Sequence, residues 1–303
     1  MTARGWVLFA AMSVIWGIPY LLIKIALDGL SVPFLVFART AIGAAVLLPF
    51  VVSRANIAIV VRRWKPLVGF ALFEIIAAWL LLSDAEHHLT SSTTGLLIAA
   101  TPIIAAVLDR LTGGLDRLRA PQMIGLGVGF AGVAVLAGPG VEGGGVWPVT
   151  EVLLAAACYA VAPLIAARHL GDVPALPMTA ACLGFAAVVY TGPAVLHWPS
   201  QMPGTRVLFA TGALALICTA LAFVIFLALI REVGAPRALV VTYVNPAVAL
   251  AAGVVVLGEP LTGWNIGGLV LILCGSALAT RRSPPSVHPA GAEPSAPQPG
   301  PVR

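Results

Sequence analysis

Ten apolar stretches, parted by charges and by clusters of proline and glycine, leave this chain little choice of environment. They run over roughly 5–27, 31–53, 66–84, 90–111, 121–138, 147–168, 175–196, 205–230, 235–257 and 263–280. Each fits the ~20 mostly apolar residues that a helix needs to cross the hydrocarbon core of a bilayer. Backbone polar groups in lipid must be satisfied within their own segment, so the fold class that follows is all-α integral membrane with ten transmembrane helices. Composition agrees: 60% of the 303 residues are hydrophobic and 10% charged, against roughly 45–50% and about 25% in soluble domains. The first stretch is too long for the apolar part of a signal peptide and no small-residue cleavage site ends it, so it is expected to stay in place.

The net charge of +5 has a better explanation than nucleic acid. With a cytoplasmic N-terminus, Arg4, Arg54, Arg62, Arg63, Lys65, Arg110, Arg117, Arg119, Arg168, Arg231, Arg237, Arg281, Arg282 and Arg303 all face inward, which is 14 of the 17 basic residues. Arg206 alone faces outward, while Lys24 and Arg39 lie within spans. This is the positive-inside pattern, and it fails if one span is dropped. A multi-pass protein of the cell (inner) membrane with both termini cytoplasmic is expected, with lipid as its environment and no nucleic-acid partner. Cys158, Cys182, Cys218 and Cys274 fall within spans without metal-ligand spacing and are expected to be free thiols.

The prolines reveal an internal repeat. Pro19 and Pro163, Pro33 and Pro177, Pro49 and Pro193, and Pro102 and Pro246 are each 144 residues apart. After one deletion the offset becomes 143, pairing Leu118 with Leu261, Gly125 with Gly268 and Gly132 with Gly275. Two five-helix copies follow, 5–138 and 147–280, between a short cytoplasmic N-terminus (1–4) and a Pro-rich tail (281–303) expected to be disordered. Five is odd, so the second copy is inverted relative to the first. Inverted repeats place substrate sites near the bilayer midplane, where the interrupted helices of the two halves meet around a central cavity. Pro19, Pro102, Pro163 and Pro246 are the candidate kinks or hinges. A helical proline removes a donor and displaces a carbonyl, and Thr101 and Asn245, each directly before a proline, are placed to bond the groups set free.

"SVIWGIPYLLIK" (13–24), Arg39 in span two, "ATPIIAAVLDRL" (100–111) and above all "YVNPAVALAAGVVVLGEPLT" (243–262) resemble the drug/metabolite transporter superfamily, specifically its ten-helix EamA-type members. The resemblance covers about residues 6–280. The first-half counterpart of the last motif departs from it, with Asp116 where the second half has Glu259, an extra residue and the polar run "LTGGLDRLR". The resemblance implies a central cavity between pseudo-symmetric bundles and export of small metabolites, amino acids or toxic compounds.

Trp16, Tyr20 and Lys24 are four apart and share one helix face, either as an aromatic wall leading to a cationic lip or as a packing stripe with a snorkelling lysine. Glu74 sits near the centre of span three, where a carboxylate costs at least ~2.5 kcal/mol and marks a functional site by default. Ala71, Ala77 and Ala78 beside it are expected to leave room for water or a ligand, and Glu74 is the candidate proton-coupling or cation-binding group; its structural alternative is an ion pair with Arg39 or a bond to a neighbouring helix. Arg39 is deep enough in span two to need a partner, which a substrate carboxylate, Glu74 or backbone carbonyls would supply. Thr101, Tyr159, Thr242, Tyr243 and Asn245 near mid-depth are candidate polar contacts to a substrate. "SDAEHH" (83–88) reads as a solvated acidic loop or gate rather than a metal site. Gly125 with Gly129, and Gly263 with Gly267, have the small-xxx-small spacing that lets helices approach closely, for packing of the halves or a homodimer.

The expected function is secondary export of a small, amino-acid-like metabolite by alternating access, proton-coupled through Glu74, in a monomer or homodimer. The alternatives are efflux of lipophilic cationic drugs by proton antiport and, from another class, an intramembrane metal-dependent hydrolase. No nucleotide-binding P-loop occurs, so the driving energy is expected to come from a gradient or from the substrate itself; no cofactor and no enzyme activity are expected.

Overall fold

The computed structural model describes residues 1–111, 120–137 and 145–279. Among these, all regular structure is helical. Helices α1 (Ala3–Ala26), α2 (Val32–Val51) and α3 (Trp64–Ala85) are followed by α4, which runs as Ser91–Leu97, a 3-10 turn Ile98–Ala100 and Thr101–Leu111. Then come α5 (Ala120–Ala137), α6 (Val146–His169), α7 (Ala175–Leu196), α8 (Thr205–Val233), α9 (Val241–Leu257) and α10 (Gly263–Ala279). The first eight are long and apolar enough to cross a membrane. The last two have 17 residues each, about 26 Å at 1.5 Å per residue. Helix α9 is shorter than the stretch 235–257 because the chain opens at Leu239 and Val240, after the short turn Ala235–Ala238, and stops at Gly258, whose φ of +68° suits glycine. Residues Asp116, Arg117, Leu118, Arg119, Arg281, Arg282 and Arg303, the last residues of the expected spans five and ten (138 and 280), and the whole tail 281–303 lie outside the described residues, and the expectations placed on them lie there too.

The outward surface is apolar. Phe50, Phe209 and Val255 are 81%, 79% and 82% exposed, a pattern that hydrocarbon, not water, stabilises. Between α2 and α3 lies a short helix, Arg54–Arg62, capped by Ser53, whose hydroxyl accepts from the Asn56 N–H at 3.1 Å.

Several helices are interrupted, at related places. Helix α1 stops at Gly17 and restarts at Pro19. Helix α3 widens into a π turn over Leu72–Ala77 and α8 does the same over Leu216–Leu221, 144 residues later at both ends. In α4 the 3-10 turn begins at Ile98; 144 residues on, the Thr242 and Tyr243 N–H groups donate to Leu239 and Val240 carbonyls, both at 3.1 Å, in the same three-residue pattern. Pro163 differs from the expected hinge: α6 runs through it unbroken from Val146 to His169, whereas its partner Pro19 starts a new helical piece.

The packing has the same regularity. Helix α5 lies on α10, α2 on α7, α4 on α9, α1 on α8 and α9, and α6 on α3 and α4. Exchanging each helix for the one five places away returns the same set of pairs. The α5–α10 seam is built on glycine. A Cβ on Gly275 would sit 2.5 Å from Gly129 Cα and 2.7 Å from the Gly125 carbonyl oxygen, and one on Gly132 would sit 2.8 Å from Ile272 N. Gly125 and Gly129 therefore serve close approach as their spacing suggests. Gly263 and Gly267 do not, for nothing lies within 4 Å of either; Gly268 and Gly275, two turns apart, take that place because they lie on the face turned to α5.

Hydrogen bonds sort the connections into two ends. At one, here the near end, Thr2 Oγ1 donates to Glu232 Oε1 at 2.6 Å, and Arg62 and Arg63 hold Asp172 at 3.2 and 2.8 Å. At the far end Ser31 Oγ donates to the His197 carbonyl at 3.1 Å.

Candidate functional site

Arg39 is the eighth of the 20 residues of α2 and only 8% exposed. Its guanidinium carbon lies 3.6 Å from the centre of the Trp79 ring on α3, a cation–π contact worth about 2 kcal/mol when desolvated. Its Nε donates to Thr219 Oγ1 at 2.9 Å, and the Thr219 hydroxyl in turn donates to the Leu214 carbonyl at 2.8 Å. Thr219 belongs to the π turn of α8, where a widened helix leaves backbone acceptors to be served by side chains. The equivalent turn in α3 is served from α7: Tyr190 Oη donates to the Ile76 carbonyl at 2.7 Å. Tyr20 and Tyr159 lie within electrostatic reach of Arg39, and Trp79 is a hydrogen-bond neighbour of the Tyr159 hydroxyl.

Glu74 is the eleventh of the 22 residues of α3 and sits inside the π turn. The ion pair between Glu74 and Arg39 is not formed; among the described residues the ion pairs are those of Asp172. What Glu74 reaches instead are Tyr159, Cys158 and Cys182. Ala71 and Ala78 beside it are fully buried, so they provide close helix contact rather than the water-filled room expected of them.

The remaining candidates are dispersed. Trp16 is not in one wall with Tyr20 and Tyr159: it stacks on Phe226 of α8, ring centres 4.6 Å apart, in a separate apolar cluster with Met12 and Leu229. Thr101 Oγ1 donates to the Ile98 carbonyl at 2.7 Å, the acceptor that Pro102, lacking an N–H, leaves open. Thr242 likewise turns its hydroxyl to its own helix, onto the Leu239 carbonyl at 2.8 Å. Asn245 behaves differently, for its Oδ1 is buried without a hydrogen-bond partner. It stands beside the α1 break, where a Cβ on Gly17 would meet the Asn245 carbonyl oxygen at 3.1 Å. Tyr243 is half-buried two residues earlier in α9.

The far end holds a polar cluster that the sequence only half disclosed. The turn at Gly258 swings Glu259 under the start of α4, where its carboxylate accepts from the N–H groups of Ser91 at 2.7 Å and Ser92 at 2.9 Å and from the Ser92 hydroxyl. Lys24, expected to snorkel or to form an open lip, instead donates to the backbone carbonyls of Glu86 and, at 2.8 Å, Leu89. That bond draws the "SDAEHH" loop inward. Asp84, His87 and His88 stay exposed, but Glu86 is 0% exposed and neither carboxyl oxygen has a hydrogen-bond partner, which corrects the reading of this run as uniformly solvated. Burial pushes the Glu86 carboxyl well above the ordinary carboxylate range; Lys24 opposes that shift and Glu259 adds to it. Glu151, near the start of α6 and 3% exposed, is hydrogen-bonded to Asp84 and Trp147; nothing in its sequence surroundings singled it out. Among the described residues no group of three His, Cys, Asp or Glu gathers as a metal centre requires.

Two open apolar hollows lie on the flanks of the bundle. One, of about 240 Å³, is lined by Val60, Trp64, Leu67, Val68, Cys182 and Phe185; the other, of about 480 Å³, runs along α8 at Leu208, Phe209 and Leu216. Neither is the midplane cavity expected between the halves, because in this conformation Tyr20, Arg39 and Trp79 pack closely there, each 8% exposed.

The model of the EamA-like transporter family matches residues 3–138 and again 147–281. The chain belongs to the EamA-like transporter family. Among its EamA-like relatives, "Uncharacterized inner membrane transporter YedA" of Escherichia coli (strain K12) is 26% identical over 282 residues, 89% of this chain and 88% of that one. "Uncharacterized transporter YvbV" of Bacillus subtilis (strain 168) is 26% identical over 300 residues, 92% of each. A "Probable terminal-alkyne amino-acid exporter" of Streptantibioticus cattleyicolor is 27% identical over 285 residues, 89% of this chain and 91% of that one. A solved crystal structure superposes with a TM-score of 0.62 at 21% identity, over 92% of this chain and 97% of the other; at that identity the likeness speaks for the fold alone. An EamA-like chain of apolar helices is a multi-pass membrane protein and a transporter, which gives the Arg39 and Glu74 surroundings their functional context.

Proposed function

We propose that this EamA-like protein exports a small zwitterion of the amino-acid kind from the cytoplasm, alternating access by rocking two inverted five-helix halves about a midplane site, with proton coupling through Glu74. The observation that carries the reading is a buried cation and a carboxylate at similar depth, Arg39 and Glu74, which both reach Tyr159 yet do not pair with each other. A zwitterion offers a partner to each, its carboxylate to Arg39 and its ammonium to Glu74, and Asn245 Oδ1 adds an unused acceptor for an ammonium N–H. The matched π turns, the helix pairs that survive exchange by five and the two family matches support the inverted repeat. The positive-inside count supports a cytoplasmic near end, and the relative named as a probable amino-acid exporter supports the substrate class.

A second reading has its own observation. Arg39 is already engaged by Trp79 and Thr219, which leaves Glu74 and the surrounding rings to a lipophilic cation. Thermal stability of the detergent-purified protein against amino acids and against lipophilic cations separates the two, since a ligand at about 100 times its dissociation constant adds ~2.7 kcal/mol. Stabilisation by an amino acid that disappears in Arg39→Gln supports the first; stabilisation by cations alone, lost in Glu74→Gln, overturns it. In proteoliposomes Glu74→Gln is expected to abolish the pH dependence of transport, and an unchanged pH profile ends the coupling assignment.

A further inference from the structure

We infer that Glu86 is a second proton-binding site, at the far end of the bundle, and that the proton it carries keeps that end closed. The inference rests on the transporter reading only in calling that closure a gate. Glu86 is wholly enclosed with both carboxyl oxygens unpartnered. An ionised carboxylate in such a place would have neither water nor donor, whereas the neutral acid is tolerated. Lys24, the cation at hand, is held by the carbonyls of Glu86 and Leu89 and makes no ion pair with the Glu86 carboxyl.

The groups facing Glu86 come from every element around it. From α1 these are Lys24 and Tyr20, and from the α9–α10 connection Glu259. On its own segment Asp84, His87 and His88 are exposed, and α6 adds Glu151, already bonded to Asp84. Glu259 differs from Glu86 in being held by donors, the two N–H groups and the hydroxyl at the start of α4. The latch between the halves is thus a carboxylate on one and backbone donors on the other, with α9 brought close by Gly253, where a Cβ would meet Ser91 Oγ at 2.9 Å.

When Glu86 releases its proton to solvent at that end, a second negative charge appears beside Glu259, and Lys24 gains a carboxylate partner in place of two carbonyls. Both changes loosen the contact of the α3–α4 loop with α1 and α9. The sign follows from the direction of the shift: the closed state binds the proton more tightly than an open, hydrated one. Closure is therefore complete at pH below the ordinary carboxylate range and is lost as pH rises towards the raised value.

Hydrogen exchange over residues 88–97 of the full-length protein in nanodiscs, without substrate and corrected for intrinsic exchange, reads the latch through the Ser91 and Ser92 amides. Protection in the wild type is expected to fall by about tenfold or more as pH is raised from the ordinary carboxylate range to the alkaline limit of the protein's stability. Glu86→Gln, which mimics the protonated acid, is expected to stay protected throughout, Glu259→Gln to be deprotected throughout, and Glu86→Asp to retain the fall. A flat wild-type profile, a Glu86→Gln profile that tracks the wild type, or protection set by sodium at constant pH overturns the inference. If Glu86→Gln does not insert, a flat Glu86→Asp profile overturns it equally. Because no substrate is present, failure of the amino-acid assignment leaves this result unaffected.

Discussion

At the scale of single residues, Thr219 shows how a small side chain sets the state of a large one. Its hydroxyl accepts from Arg39 Nε and donates to the Leu214 carbonyl, so Thr219→Val strands two buried groups at once. A loss of about 2 kcal/mol is expected, since hydrogen bonds to charged groups contribute roughly 1.5–3 kcal/mol. Thr219→Ser keeps both bonds and is expected to lose no more than about 1 kcal/mol, the worth of one methyl group; unfolding in detergent measures both. Asp172 is an opposite case, an exposed group at the near end. The Arg63 side chain, through its hydrogen bond, holds the Asp172 carboxyl below its usual value. The folded value is the lower one, so the contribution is present above the unfolded value and is lost only as pH falls through the folded one. Melting curves are therefore expected to show no pH dependence from this pair between about pH 5 and 8, and a small loss of stability in acid, where the pair's contribution disappears; added salt screens that contribution. Arg39 and Glu74 were legible in the sequence as deeply placed charges, while Trp79 and Thr219 were not, because nothing local marks the tip of a tryptophan or a threonine as the partner of a distant arginine.

Among the elements, the α5–α10 seam and the paired π turns carry most of the regularity. Gly275→Ala drives a methyl group into Gly129 and the Gly125 carbonyl, and overpacking of this kind costs about 1–3 kcal/mol. Gly127→Ala, on the same helix with nothing within 4 Å, is expected to be neutral or to gain up to about 1 kcal/mol from the lower backbone entropy of alanine. Thermal unfolding of the two variants side by side checks the seam, and equal loss in both would contradict it. The offset of 143 already paired Gly125 with Gly268 and Gly132 with Gly275 in the sequence. Spacing of four drew attention to Gly263 and Gly267 instead, because local spacing says which residues share a face but not which face meets a partner. The π turns had no sequence signal beyond their register: an extra residue in a turn is stabilised by Tyr190 and Thr219 from tertiary partners and side chains.

For the whole molecule, the two ends defined by hydrogen bonding translate into a topology. Reporter fusions after residues 53 and 172 are expected to report the same side as the N-terminus, and fusions after 30, 202 and 260 the opposite side. The fusion after 260 is the most informative, because it depends on α9 crossing with only 17 residues. A reporter there on the same side as the N-terminus would overturn the proposed ten crossings and, with them, the proposed inversion of the halves.

The sequence by itself determined the environment, the helical class, the near-repeat of 144 and the family, because each depends on hydrophobic length, proline position or motif, all properties of the chain in one dimension. Tertiary structure alone decided that Arg39 and Glu74 do not pair, that Trp16 stands apart from Tyr20 and Tyr159, and that Glu86 is enclosed rather than solvated. Partner choice and burial are set by contacts between helices far apart in the chain, such as Arg39 with Thr219, 180 residues on, and no local pattern encodes which charged side chain a distant helix will cover.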